Sequence, residues 1–452
     1  MDPTRLTLVE LAAAYRERRL RPADAVEAWL ERIEAGPVYR VVTAARARRQ
    51  AERADALFEA GIDRGPLQGI PIALKDLIDT EGEVSAAGSM VLAEGPPALR
   101  DSTAAARLDR AGAVFLGKTN MTELAFSGLG LNPHFGTPGS ALDPERVPGG
   151  SSSGSAVAVA TGLACVAIGS DTGGSVRIPA AFNGIVGLKT TDGAIPTAGC
   201  VPLSPTLDTL GPLARTVADA WHAWRALADL PPAPFPGPPD GPLSLLVPAS
   251  LAAGLEPEVG RVFQDACDRL AAGHRIERCE VPVLDQVAEL YARHGTFAGI
   301  EGLALHRELL ERGGGRIDPR VSSRVLSYRT RTGDDLARLV EARQRIRREM
   351  DGIARPYDAL LAPTVPILPP RIADLGSDRA YLEANASVLR NTQIFNFLGW
   401  PAASVPWGRT AGGLSVGIMV ATGPYGEERV LRICAEVEAT PSGVGQPSPR
   451  SA

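Results

Sequence analysis

The sequence predicts an α/β fold in which a sheet is covered on both faces by helices, and three observations carry this. From Pro66 onward, short apolar runs alternate with turns: IPIAL (70–74), AVFLG (113–117), CVAIG (165–169) and IVGLK (185–189). Helical segments such as 103–111 are interleaved with them, which is a βα texture. At 452 residues and 44% hydrophobic, the chain can bury a large core, as one big α/β domain or as two to three smaller ones.

Residues 7–19 and 22–35 read as two helices covering that core. Leu8, Leu11 and Tyr15 recur at helical spacing, and Pro22 occupies a first-turn position where its missing N–H costs nothing. A third helix, 44–58, carries arginines on its wet face. The proline-rich LPPAPFPGPPDGP (230–242) marks a linker. Beyond it LSLLVP (243–248) reads as strand, 256–270 as helix, and 284–350 as mainly helical and arginine-rich. ALLAPTVP (359–366) and AASVPW (402–407) return to strand texture, and the tail 440–452 is expected to be disordered.

Composition narrows the function. A net charge of −5 gives no electrostatic footprint for nucleic acid or acidic lipid, so a small molecule or a protein is the expected partner. The N-terminus is charged throughout and lacks a signal-peptide core. Five cysteines (165, 200, 267, 279, 434) show no CxxC, so neither a disulfide framework nor a zinc site is expected, and a reducing cytoplasm is the simplest location.

The stretch 147–179 organises the rest. Two glycine-serine loops, 149–155 and 169–175, bracket the apolar segment 156–168, and no charge lies between Arg146 and Asp171. The expected order is loop, short buried helix (AVAVATGLA), buried strand (CVAIG), loop, with serine hydroxyls held where water is scarce. Only three of the 47 basic residues are lysines, Lys75, Lys118 and Lys189. Where arginine is the default cation, a lysine can be one that must lose its proton. Lys75 ends the apolar run IPIAL, where burial would depress its pKa and let a neutral amine act as general base; pairing with Asp76 is the competing reading. The five histidines (134, 222, 274, 294, 306) lie outside both loops. In DTGGS (171–175), consecutive glycines allow neighbouring N–H groups to point one way, as a developing oxyanion requires.

GGSSSGS followed by GSDTGGSVRIPA resembles the signature of the amidase signature family, serine hydrolases that cleave amide C–N bonds. The resemblance extends to GIPIALKDLID (69–79), AGAVFLGKTNMTELAFSG (111–128), YDALLAPTVP (357–366) and FNFLGWPAASVPWG (395–408). It implies one large α/β domain, 1–439, with a central mixed, mostly parallel sheet. Within it, 1–60 would be N-terminal helices, 66–230 the catalytic core, 231–350 a linker and variable pocket region, and 351–439 a return to the core sheet. It also implies a triad: Ser175 as nucleophile, Ser151 as the bridging serine at a cis peptide, and Lys75 as base. The backbone N–H groups of Thr172, Gly173, Gly174 and Ser175 would form the oxyanion hole, braced by Asp171 and Arg177. No metal or cofactor is implied, the substrate is a small amide, and a homodimer is left open.

Three other readings compete. The segment 150–154 fits GxSxG, but that elbow needs a preceding strand and a late histidine. The segment 112–119 fits GxxxxGK[ST], but Ala-Val-Phe-Leu suits a buried strand better than a phosphate cradle. The same family includes the glutaminase subunit of tRNA-dependent amidotransferases, which passes ammonia to a partner subunit. There the resemblance implies an acid seven residues before the asparagine at 396, and this chain has Leu389. Ser153, Lys118 and Lys189 are left without a role, and Arg320, Arg324 and Arg329 are either carboxylate ligands or solvated helix faces.

Overall fold

The computed structural model describes residues 2–444. Eleven strands form one sheet: β1 (Tyr39–Val42), β2 (Pro71–Lys75), β3 (Val114–Thr119), β4 (Val166–Asp171), β5 (Val186–Lys189), β6 (Thr209–Ala214), β7 (Ser244–Pro248), β8 (Arg275–Cys279), β9 (Ala359–Pro363), β10 (Ala402–Arg409) and β11 (Ser415–Ala421). Their order is β1-β3-β2-β4-β6-β5-β10-β11-β9-β7-β8. The four apolar runs become β2 to β5, all fully buried, because helices cover both faces.

The sheet is mixed but not mostly parallel, which corrects the expectation. β2 runs parallel to β3 and β4, and β7 to β8 and β9; the other six pairs are antiparallel. A short turn after Arg409 returns β10 into β11, and so short a connection permits only an antiparallel neighbour.

The N-terminal helices form at Leu8–Arg16, Pro22–Leu30 and Ala44–Glu59. Thr7 and Glu10 cap the first reciprocally, and Leu8, Leu11, Tyr15 and Trp29 are buried in the main core. The linker holds no regular element, and the next helices after it are Pro257–Leu270, Pro282–His294, Phe297–Gly313, Pro319–Leu326 and Gly333–Ala354. The tail expectation does not hold at its start. Gly443 N donates to Asp265 Oδ2 (3.0 Å) and Val444 packs on the main core. Residues 445–452 lie outside the described residues.

One consequence of the topology positions the site. In the parallel trio β2, β3 and β4, Lys75 stands opposite Thr119 and Leu74 opposite Ile168, so the three strands end at one edge of the sheet. Ligands in α/β sheets bind beyond the carboxyl ends of parallel strands.

Candidate active site

Lys75 is the last residue of β2 and is fully buried. Its Nζ is hydrogen-bonded to Ser151 Oγ (2.6 Å) and Ser170 Oγ (2.8 Å), and lies 3.4 Å from the Ser170 carbonyl. Burial drives its pKa down to about 7, against the opposing charges of Asp171 and Asp208. Asp76 is not its partner: that carboxylate accepts from Arg40 Nε (2.6 Å) and faces Lys118 Nζ at 3.7 Å.

Ser151 follows a cis peptide bond from Gly150. Its carbonyl accepts from Thr122 N (3.1 Å), and Gly150 N donates to Gly128 O (2.8 Å). A Cβ at Gly150 would stand 2.5 Å from the Gly130 nitrogen, so only glycine lets the two loops approach this closely. The helix expected at AVAVATGLA starts earlier, at Ser153, and ends at Ala160.

Ser175 is 5% exposed and sits on the turn between β4 and helix Arg177–Asn183. Its carbonyl accepts from Ser152 N (3.2 Å), which stitches the second loop to the first one residue past Ser151. Ser175 Oγ makes no hydrogen bond to any described residue, so the Lys75–Ser151 link is formed and the Ser151–Ser175 link is open. Catalytic hydrogen bonds in unliganded enzymes often tighten only with substrate present.

Asp171 and Arg177 form a buried fork, Nε to Oδ2 at 3.0 Å and Nη2 to Oδ1 at 2.9 Å, with both side chains fully buried. Asn396 closes the ring, its Nδ2 donating to Asp171 Oδ1 (2.8 Å) and its Oδ1 accepting from Arg177 Nη2 (2.7 Å). Burial pushes the Asp171 carboxyl up, but the Arg177 charge and these hydrogen bonds win and hold it well below the usual carboxylate range. The same carboxylate accepts from Gly174 N (2.8 Å) and Val176 N (3.1 Å). Gly174 N–H is therefore engaged, contrary to the expectation for the oxyanion hole, whereas the N–H groups of Thr172, Gly173 and Ser175 have no acceptor among the described residues.

Two contributors escaped the sequence reading. Ser170 binds Lys75 from the penultimate position of β4; the only signal was its place in a serine-bearing loop. Asp208 accepts from Thr172 Oγ1 (2.6 Å), Leu203 N (2.9 Å) and Ser204 N (3.0 Å). Burial raises its pKa to about 6 against those hydrogen bonds. Asp208, Ser170, Thr172 and Cys200 line a small recess next to Lys75, with Leu77 and Ala125 as its apolar wall.

The remaining residues fall into place around this. Lys118, pushed down to about 8 by burial, donates to Ser85 Oγ (2.6 Å) and Val84 O (3.2 Å), and its strand β3 is buried throughout, which is no phosphate cradle. Lys189 donates to the carbonyls of Thr190 (2.8 Å) and Trp400 (3.1 Å). Ser153 Oγ is buried without a partner among the described residues. Among the described residues no strand leads directly into 150–154, and the late histidines bind elsewhere, His294 at Asp335 (3.0 Å) and His306 at Pro202 O (2.7 Å). Arg320 and Arg324 stack on Tyr381 and Phe126 and donate to backbone carbonyls, while Arg329 faces Glu311 at 3.9 Å. Leu389 packs its Cδ2 against Gly128 and Gly173, each at 3.4 Å from where a Cβ would stand. Among the described residues no three His, Cys, Asp or Glu side chains are grouped to hold a metal, and no helix is long and apolar enough to cross a membrane.

Comparison with known proteins places the chain among similar molecules. The model of the family described as Amidase matches residues 24–431. The chain is 38% identical to a 2-amino-5-chloromuconic acid deaminase of Comamonas testosteroni, covering 97% of each. It is 34% identical to a glutamyl-tRNA(Gln) amidotransferase subunit of Moorella thermoacetica, covering 94% of this chain and 95% of the relative. A crystal structure of an amidase superposes with a TM-score of 0.86 at 31% identity, covering 96% of this chain and 99% of that one.

Proposed function

The chain belongs to the Amidase family, and on that premise we propose that it hydrolyses the C–N bond of a small carboxamide through a serine acyl-enzyme, with Lys75, Ser151 and Ser175 as its triad. The observation that carries this reading is the buried Lys75 amine, 2.6 Å from Ser151 Oγ and with a pKa brought to about 7.

In this mechanism neutral Lys75 takes the Ser151 proton as Ser151 takes that of Ser175, and Ser175 Oγ attacks the amide carbonyl. The tetrahedral oxyanion is held by the N–H groups of Thr172, Gly173 and Ser175. Asp171 and Arg177, with Asn396, keep the loop in shape by holding Gly174 and Val176. Ser151 returns the proton to the departing nitrogen, ammonia or an amine leaves, and water repeats the route on the acyl-enzyme. No step calls for a metal or an organic cofactor.

The test is ammonia or amine release by the purified chain over aliphatic, aromatic and carboxylated amides. Ser175→Ala and Lys75→Ala should each lower turnover by about a thousandfold or more. Ser175→Ala should also lose labelling by a serine-directed phosphonylating reagent. Labelling that persists in Ser175→Ala rejects the assignment of the nucleophile.

Similarity to the amidotransferase relative supports a second reading, a glutaminase that delivers ammonia to a partner protein. Against it, an apolar Leu389 packs beside Gly173 at the position where the acid of a glutaminase was expected. Release of ammonia from simple amides without tRNA or a partner favours the stand-alone hydrolase, and a strict requirement for either reverses the order.

A further inference from the structure

A second cavity, of about 290 Å³, lies between helix Thr103–Arg110, helix Val217–Leu227 and the turn after the latter, and shares no lining residue with the recess near Lys75. Its charged wall is one-sided: Arg64, Arg107, Arg110 and Arg225 face a single carboxylate, Asp229. Asp229 Oδ1 lies 2.5 Å from Arg110 Nη2, and its Oδ2 lies 3.9 Å from Arg107 Nε. Backbone carbonyls also orient two of these guanidinium groups. Arg107 Nη1 donates to Leu227 O (2.7 Å), and Arg225 donates through Nε (3.0 Å) and Nη2 (2.7 Å) to Pro231 O. Guanidinium groups held in place by backbone have already lost part of the freedom that binding would cost.

His222 supplies the independent observation. It lines the same cavity at 9% exposure and makes no hydrogen bond to any described residue, so its ring nitrogens are free to meet a ligand there. Burial, and then the charges of Arg16 and Arg225, push its pKa down to about 4, so it stays neutral and keeps one N–H to donate.

We propose that this cavity binds a small multivalent oxyanion, of phosphate or dicarboxylate type, with Arg107 and Arg225 as principal cations and His222 as a neutral donor. The volume suits a ligand of a few heavy atoms rather than a nucleotide. An anion there relieves the repulsion among the arginines and competes with Asp229, whose backbone is left-handed (φ 60°), a conformation that asparagine also tolerates.

The test is calorimetric titration of the full chain carrying Ser175→Ala with inorganic pyrophosphate and, separately, with succinate, at constant ionic strength. Saturable one-site binding of at least one probe is expected, and the preferred probe identifies phosphate or carboxylate as the ligand chemistry. Affinity should fall about tenfold or more in Arg225→Gln and rise several-fold in Asp229→Asn, where a competing charge is gone. Absence of saturable binding by both probes, or an affinity unmoved by both substitutions, overturns the proposal.

Discussion

Lys75 Nζ and Ser151 Oγ lie 2.6 Å apart, and both side chains are fully buried. Burial lowers the Lys75 pKa to about 7, so the amine is neutral on the alkaline side of that value. In the proposed mechanism the neutral amine is the base, hence kcat/KM should rise with pH through about 7 and then level off. The linkage has the same sign. Between about 7 and the ordinary value of 10.5 the unfolded chain binds the proton and the folded chain does not, so this group's contribution to stability rises with pH across that window. A pH–rate profile on a non-ionising amide checks the first part, and Lys75→Met should erase the limb together with most of the activity.

Asp208 tunes the same group from the other side of the recess. Its carboxylate fixes Thr172 Oγ1 at 2.6 Å, and its negative charge favours protonated Lys75. In Asp208→Asn the Lys75 pKa should fall, moving the limb of the rate profile to lower pH, while kcat drops by about tenfold as Thr172 loses its anchor. A merely structural role for Asp208 would lower activity without moving the limb.

Much of this site was legible because the chemistry lies in contiguous runs. The apolar IPIAL announced a buried strand with Lys75 at its end, and the two glycine-serine loops announced a dry site with hydroxyls in it. What escaped depends on long-range geometry. Asp208 reaches Thr172 only because the segment after β5 folds back over the strand ends, and nothing in its local sequence marks that path. Ser170 faces Lys75 through the register of β2 against β4, which pattern alone does not set. The overestimate of parallel pairing has the same origin, since an apolar run announces burial and not direction. Gly174 was assigned to the oxyanion hole because glycines permit that role, yet the neighbouring Asp171 carboxylate claims its N–H.

Removing the charge of Asp171 should be costly. Arg177 would then remain fully buried with only Asn396, Met419 Sδ and a neutral amide for company. Breaking one half of such a pair costs about 3–5 kcal/mol. Asp171→Asn should therefore lower the midpoint of urea unfolding markedly, and the double substitution Asp171→Asn with Arg177→Met should recover part of the loss. An additive double mutant would show that the two side chains do not act as a unit.

Gly174 separates loop geometry from overall stability. Its φ of 134° disfavours any side chain, and an added Cβ would meet Thr392 Oγ1 at 2.2 Å and Ile178 Cδ1 at 2.7 Å. Thr392 is itself fixed, donating to Gly173 O at 2.7 Å, so the loop and not the threonine must give way. Displacing Gly173 by even a fraction of an ångström misaims an N–H that the mechanism places on the oxyanion, and loss of one such donor costs about a hundredfold to a thousandfold in kcat. Gly174→Ala should accordingly lose activity on that scale and keep most of its KM, while its unfolding midpoint falls less than that of Asp171→Asn. If Gly174→Ala retains near-normal kcat, the N–H groups of this loop are not what holds the oxyanion.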